Sequence, residues 1–474
     1  MRYVLPAVIV VGAGALCIGV AAMFSAKRRR VSFSAPMDIP EDVDEIMKRL
    51  EDNGYEAYIV GGATRDTFMG VTPKDYDIFT DADGDAIQEL FRHRSTAILG
   101  GEERQAKILT VLVDGIEVSQ YRANADRTET GTDLEVHLGT CDLTVNAIAM
   151  DRHGNIVDPF GGVLDVRGRV IRAVGRARDR IDEDKLRALR AVRFACRLDG
   201  EMDDELVDAI SSTDVTDLPP ERLREELFKC MVYPDSLRLL YDVGLLQQLI
   251  PELRVLYGLD GGRHHDETVL EHLFLAFERS CELTNDVRLR FACFMHDIGK
   301  GPALDEDEYG NNVFYRHEHI GQGLVTEIME RLKFSKKDIA YVQTAVKYHM
   351  MDPNMGKKAW KRLFIALEDN GVPVEDFTVV LFSDAASNTA RADMKYHDFM
   401  KARGIIARYH EMKNSDEPMR LADLEIDGND LIELGMIPGP ELGSMLRRLY
   451  SMVENGEVPN RRLALRSRAA ELLR

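Results

Sequence analysis

Cysteine is scarce in this chain: six among 474 residues, at Cys17, Cys141, Cys196, Cys230, Cys281 and Cys293, with no CxxC pair. Such spacing argues against a disulfide framework or a cysteine-rich zinc site and fits a reducing compartment. Cys196 and Cys293 lie among apolar neighbours and read as small core hydrophobes. Net positive charge is lacking too, at a formal -20 and a pI near 5.1. So acidic a chain repels a polyanion as a whole, and any nucleic-acid contact must come from a local basic patch. Internal repeats and low-complexity stretches are absent. What remains is ordinary globular composition, 45% apolar and 30% charged with 36 Gly and 16 Pro. The length predicts roughly two to four domains and excludes a single small fold.

Only one long uncharged run is present. From Tyr3 to Ala26 no residue is charged, and Lys27, Arg28, Arg29 and Arg30 follow directly. The run is long enough for a transmembrane helix with its basic flank in the cytoplasm, whereas a cleaved signal peptide would carry those charges on the other side. Met37 opens a self-sufficient soluble start, so residues 1–36 read equally well as the product of an upstream start codon.

Residues 41–52 predict an amphipathic helix with Val43, Ile46, Met47 and Leu50 on its apolar side. A short apolar strand, Tyr58-Ile59-Val60, ends in Gly61-Gly62, where the backbone can approach a bulky ligand and a following helix N-terminus favours an anion. Arg65, Asp66 and Gly70 follow, then Asp75-Tyr76-Asp77-Ile78-Phe79. On a strand, residues two apart share a face, so Asp75 and Asp77 would present both carboxylates to one point, as a site for Mg2+ and nucleotide phosphates requires. Glu117, in the alternating run Ile116 to Arg122, is the candidate third carboxylate.

The run GGATRDTFMGVTPKDYDIFT resembles the first motif of the class II tRNA nucleotidyltransferases, the CCA-adding enzymes, and of their bacterial poly(A) polymerase relatives. The likeness continues through CDLTVNAIAMDRHGNIVDPFGG and IRAVGRARDRIDEDKLRALRAVRFACRLDG and covers essentially everything from Met37 onward. The resemblance implies an α+β protein: a mixed, polymerase beta-like nucleotidyltransferase head at 37–160, then an all-helical neck at 161–255 that binds nucleobase and RNA, an HD domain at 256–400 and a helical RNA-binding tail at 401–474. It implies that Asp75, Asp77 and Glu117 are catalytic, with Mg2+ on the two aspartates, and that Gly61, Gly62, Arg65 and Asp66 cradle a triphosphate. Asp142 matches an acid linked to ribose recognition, although Thr140 and Cys141 stand where the family has two arginines.

Glu183-Asp184-Lys185-Leu186-Arg187 matches the family's nucleobase-reading motif, and Arg190 joins it in the nucleotide-binding set. Asp184 only accepts hydrogen bonds and Arg187 only donates them, which suits the pairing edges of cytosine and adenine and rejects uracil and guanine. Placed three apart on one helix, the two would share a face. Arg222, in Pro219-Pro220-Glu221-Arg222, corresponds to a later motif. Between residues 166 and 197 eleven Lys and Arg face four Asp and Glu, which makes this stretch the candidate RNA-contacting patch. Arg447, Arg448, Arg461, Arg462, Arg466 and Arg468 supply a second one in the tail.

Beyond these lie His272, His296-Asp297, His317, His349 and Asp384. A lone histidine on an apolar helix is usually a core residue, but their order resembles the HD phosphohydrolase domain of some bacterial CCA-adding enzymes. That likeness implies a divalent transition metal on His272, His296, Asp297 and Asp384, with His317, His349 and Lys300 facing a phosphate. The leading expectation is therefore template-independent CCA addition to tRNA from CTP and ATP in the cytoplasm, with a metal-dependent HD hydrolase. A poly(A) polymerase or A-adding enzyme shares the same motifs. A membrane-tethered HD phosphohydrolase whose head only binds RNA is the alternative of another class.

Overall fold

The computed structural model describes residues 39–99, 110–124, 129–262, 266–388 and 395–474. The uncharged run of 3–26, Cys17 and Met37 lie outside them. Among the described residues no helix is long and apolar enough to cross a membrane. The chain divides into two units, through Gly168 and from Arg169 onward.

The first unit opens with α1 (Glu41–Asp52), which buries Val43, Ile46, Met47 and Leu50, and continues through β1 (Ala57–Val60) and α2 (Gly62–Phe68). Then come β2 (Asp77–Thr80), α3 (Gly84–Leu90), β3 (Thr96–Leu99), β4 (Thr110–Val113), β5 (Ile116–Gln120), α4 (Leu134–Gly139), β6 (Ala149–Met150), β7 (Ile156–Val157) and α5 (Gly162–Gly168). The strands form one mixed sheet in the order β3-β4-β5-β2-β1-β6-β7. β1 pairs antiparallel with β2, and β2 pairs parallel with β5. Ile59, Ile78, Val111 and Val118 are fully buried, one from each of four neighbouring strands. That burial fixes the register, because a one-residue slip would turn every side chain to the opposite face.

The second unit starts with β8 (Val170–Ile171), α6 (Ala177–Glu183), α7 (Leu186–Leu198), β9 (Glu201–Met202), α8 (Asp204–Ser211), α9 (Pro220–Cys230), α10 (Ser236–Asp242) and α11 (Leu246–Leu249). α7 packs on α9 and α10 through Leu189, Val192, Leu227 and Leu240, all of them buried. Next are α12 (Val269–Leu283), α13 (Val287–Met295), β10 (Leu304–Glu306), β11 (Asn312–Phe314), α14 (His317–Arg331), α15 (Lys336–Tyr348), α16 (Lys357–Asp369), α17 (Val374–Ser387) and α18 (Lys395–Lys413). Phe274, Phe277 and Phe294 form the aromatic centre of α12 and α13, while Phe291 stacks on Phe334. α19 (Gly428–Glu433), α20 (Pro440–Glu454) and α21 (Arg462–Leu472) close around their own core of Leu431, Leu449, Val453 and Leu465. Among its described residues the unit is helical apart from two short strand pairs, β8 with β9 and β10 with β11.

Candidate active sites

In the first unit, the parallel register of β2 and β5 pairs Asp77 directly with Glu117. Asp75 lies two residues ahead of β2 and not on it, which corrects the expectation that it shares a strand face with Asp77. The reason is local: β1 ends at Val60 because Gly61 turns the chain away at φ +87°, so the segment before Asp77 has no β1 partner. The three carboxylates still interact. Burial, Glu117 and Asp75 push Asp77 up to about 6, against a lowering pull from Arg122. The Arg122 guanidinium sits 5.6 Å from the Phe79 ring, two residues beyond Asp77. Arg122 ends the alternating run read from the sequence, but nothing in that run marked it as part of the site.

Arg65 is buried and holds Asp66 at 2.8 Å while donating to Asn146 Oδ1 at 2.5 Å. Asn146 donates in turn to Asp142 Oδ1 at 2.9 Å. Asn146 therefore links the glycine turn to the expected ribose-binding acid, a role that its place in a quoted motif did not reveal. Gly62 opens α2, and Arg65 folds back over it, with Nη2 3.8 Å from where a Cβ would stand, an ordinary contact distance.

In the second unit, Asp184 and Arg187 do not lie on one helix. Asp184 is extended between α6 and α7, at φ -152° and ψ 101°, and its Oδ1 accepts the Leu186 N–H at 3.1 Å. Short acidic side chains compete for backbone donors and favour helix ends, which breaks the helix here. Asp184 pairs with Arg222 of α9 at 2.8 Å, and Arg187 pairs with Glu183 at 2.7 Å. Arg190 lies over the Phe194 ring at 5.8 Å. Many cations of the stretch expected to contact RNA are met by acids of that stretch and of the elements that follow: Arg172 meets Asp203, Arg178 meets Asp182, Arg180 meets Glu183, Lys185 meets Asp217 and Arg193 meets Glu226. In the tail, Arg462 and Arg466 are both held by Asp430, while Arg447 and Arg448 are exposed.

The histidine cluster comes together completely. His272 Nε2 lies 3.3 Å from His296 Nε2 and 3.1 Å from Asp384 Oδ1, and the ligand atoms of these three residues are within 4.8 Å of one another. Asp297 Oδ2 is 3.4 Å from His296, while its Oδ1 is 3.0 Å from His317 and 3.3 Å from His349. Lys300 Nζ closes on Asp297 at 2.6 Å. Three Nδ1 atoms are anchored on backbone carbonyls: His296 on Cys293 at 2.8 Å, His317 on Phe314 at 2.8 Å and His349 on Val346 at 2.6 Å. Donation from Nδ1 leaves each neutral Nε2 as a lone pair aimed inward, the arrangement that metal-ligating histidines adopt. His272 Nδ1 lies 3.1 Å from Glu267 and 3.3 Å from Ser387 Oγ, two orienting residues that the sequence did not single out. Gly299 allows the close crossing beneath: a Cβ there would come 2.1 Å from the His317 carbonyl oxygen.

Electrostatics agree with a cation-binding role. Against the opposing effect of burial, Lys300 and His296 hold Asp297 well below the usual carboxylate range, and His272 and His296 do the same for Asp384. Burial disfavours charge on His296, yet Asp297 and Asp384 bring it up to about 10, so a metal ion at this position would have to displace a proton from the imidazole. The donor set, imidazole nitrogens with carboxylate oxygens, fits a divalent transition metal. A cavity of 480 Å3 opens over Asp297, Lys300, His317, His349 and Asp384.

Three family models match the chain: the poly A polymerase head domain at residues 57–172, a probable RNA- and SrmB-binding site of polymerase A at 203–256, and the HD domain at 269–381. The chain is 31% identical to the A-adding tRNA nucleotidyltransferase of Deinococcus radiodurans, over 85% of this chain and 92% of the relative. It is 29% identical to the CCA-adding enzyme of Lactobacillus helveticus, over 88% of this chain and 93% of the relative. Among solved structures, the CCA-adding enzyme of Bacillus stearothermophilus in complex with CTP superposes at a TM-score of 0.66 with 25% identity, covering 92% of this chain and 98% of that one.

Proposed function

The chain belongs to the class II CCA-adding tRNA nucleotidyltransferase family, in the form that carries an HD domain, and on that premise we propose that it builds or repairs the 3' end of tRNA from CTP and ATP in the cytoplasm. The pairing of Asp77 with Glu117, with Asp75 close enough to raise the Asp77 pKa, is the observation that carries this reading. Mg2+ bound to Asp75 and Asp77 would activate the RNA 3'-hydroxyl and stabilise charge on the transferring phosphate. Arg65, Asp66 and the Gly61-Gly62 turn would seat the triphosphate, with Asp142 oriented through Asn146. Asp184 would accept from the amino group of cytosine or adenine, and Arg187 would donate to the ring nitrogen beside it. No covalent intermediate on the protein is required.

For the second cluster we propose a metal-dependent phosphohydrolase. His272, His296, Asp297 and Asp384 would hold the divalent transition metal, which when bound would supply activated water chemistry for phosphoester hydrolysis. His317, His349 and Lys300 would then hold the phosphate oxygens.

A-only addition is the second reading of the first site. It draws on the name of the Deinococcus radiodurans relative. CCA addition has the broader support, because CCA-adding enzymes predominate among both the sequence relatives and the structural neighbours. Incubating the pure protein with tRNA lacking its 3' end and each nucleotide separately decides between them. C incorporation followed by a single A is expected; long A tracts, or no C, would refute CCA addition.

A further inference from the structure

The glycine turn and Arg122 flank Asp77 from opposite sides. β1, which ends at Gly61 and Gly62, neighbours β2 on one side, and β5, which runs on into Arg122, neighbours it on the other. Asp77 and Phe79 share the less buried face of β2, while Ile78 and Thr80 turn into the core. The Arg122 backbone stands past the far end of β2, where the Tyr121 N–H donates to the Thr80 carbonyl at 2.8 Å. Its side chain nevertheless returns along the acid face: the guanidinium lies over the Phe79 ring, and its charge reaches Asp77.

The backbone that carries Arg122 is held from both sides. Its N–H donates to His137 Nδ1 at 3.2 Å, and His137 is itself buried against the Phe79 ring, with centroids 4.3 Å apart. Arg122 also bridges antiparallel to Thr130, and the next residue, Gly131, donates its N–H to the Tyr121 carbonyl at 2.9 Å. Only glycine fits this crossing, because a Cβ on Gly131 would come 2.8 Å from the Arg122 carbonyl oxygen. So firm a mount holds a cation beside carboxylates that would take Mg2+. With the metal bound, the like charges would repel unless an anion lay with them. The triphosphate would sit on the other side, at the glycine turn, where Arg65 is held by Asp66 and Asn146. In-line displacement brings the attacking 3'-hydroxyl in opposite the departing pyrophosphate, and hence from the β5 side. The RNA anion nearest that hydroxyl is the last internucleotide phosphate.

We propose that Arg122 binds the last internucleotide phosphate of the acceptor RNA and so sets the terminal 3'-hydroxyl beside Asp77 and Glu117. A guanidinium seated on a ring face donates in its own plane, a geometry that suits phosphate oxygens. Arg122 thereby acts on the acceptor strand and not on the incoming nucleotide. The inference rests on the nucleotide-addition reading of the first site.

The test measures C addition by the full chain with Mg2+, on tRNA lacking its 3' end and on the same tRNA with an uncharged methylphosphonate as its last internucleotide linkage. The wild type is expected to use the methylphosphonate tRNA with a kcat/KM about tenfold lower, the loss lying in the KM for tRNA. Arg122→Ala should lower kcat/KM for ordinary tRNA by a similar factor and lose nothing more with the methylphosphonate. Its KM for CTP should stay at the wild-type value, which also shows that the variant is folded. Arg122→Lys, which keeps the charge, should recover part of the loss. Equal use of the two tRNAs by the wild type, or a rise confined to the KM for CTP in Arg122→Ala, would overturn the assignment alone. So would an Arg122→Ala protein with an altered Mg2+ requirement and an intact methylphosphonate penalty, since Arg122 would then act only through the charge on Asp77. A wild-type protein that adds no nucleotide to either tRNA would overturn the nucleotide-addition reading and this inference with it.

Discussion

Asp77 and Glu117 stand abreast on parallel strands, and the fold holds these two acids together whether or not a cation separates them. Burial, Glu117 and Asp75 bring Asp77 up to about 6, above its ordinary 3.8. A carboxyl raised in this way binds its proton more tightly in the folded state. Its contribution to stability is fully present below about 3.8 and is lost as pH rises through about 6.

The first prediction follows from that sign. Asp77→Asn should stabilise the metal-free protein at pH 8 by about 1–2 kcal/mol and have no such effect at pH 3.5. Mg2+ should raise the melting temperature of the wild type more at pH 8 than at pH 5, and should not raise that of the variant. Thermal denaturation at the three pH values, with and without Mg2+, measures both. An Asp77→Asn protein that is less stable at pH 8 would contradict the electrostatic account.

The two chemistries should separate by mutation. Asp75→Ala with Asp77→Ala is expected to reduce nucleotide addition by at least about a thousandfold while sparing phosphoester hydrolysis. His296→Ala should do the reverse. Unchanged nucleotide addition in the double variant would disprove the metal assignment of the first site and favour a head that only binds RNA.

Much of this arrangement was legible in the sequence, for identifiable reasons. α1 followed from its helical spacing, and Glu117 was a candidate third carboxylate from its alternating run, although its direct pairing with Asp77 was not. The HD cluster was legible because the order of His272, His296, Asp297 and Asp384 resembles that of HD phosphohydrolase domains. Backbone detail was less visible. Asp75 fell off its strand because Gly61 withdraws the neighbouring chain, and Asp184 left its helix because its own carboxylate takes the Leu186 N–H. Orienting groups were hardest to see: Asn146 and Glu267 act on other side chains at distances that no spacing rule encodes.

Base selection is expected to depend on Arg222 as well as on Asp184 and Arg187. The Arg222 guanidinium holds Asp184 Oδ2 at 2.8 Å and fixes the direction of the remaining acceptor. Arg222→Ala should lower discrimination against UTP and GTP by about tenfold, a smaller loss than that from Asp184→Asn, which replaces one acceptor oxygen with a donor. Single-nucleotide incorporation with all four triphosphates gives the ratios. Unaltered ratios for Arg222→Ala would show that Asp184 is oriented by its bond to the Leu186 N–H alone.

A buried cation ties the tail to α16. Lys361 of α16 is 6% exposed; it donates to the Pro418 carbonyl at 2.8 Å and to Glu454 of α20 at 3.0 Å. Lys361→Met would leave the sheltered Glu454 carboxylate without its partner, and about 1–3 kcal/mol of destabilisation is expected. Because α19 to α21 enclose a core of their own, the loss should appear as earlier proteolysis between α18 and α19 before the histidine cluster is affected. Adding Glu454→Gln removes the stranded charge and should recover part of the stability. A double variant less stable than the sum of the two single changes would show that Glu454 is held chiefly by other contacts.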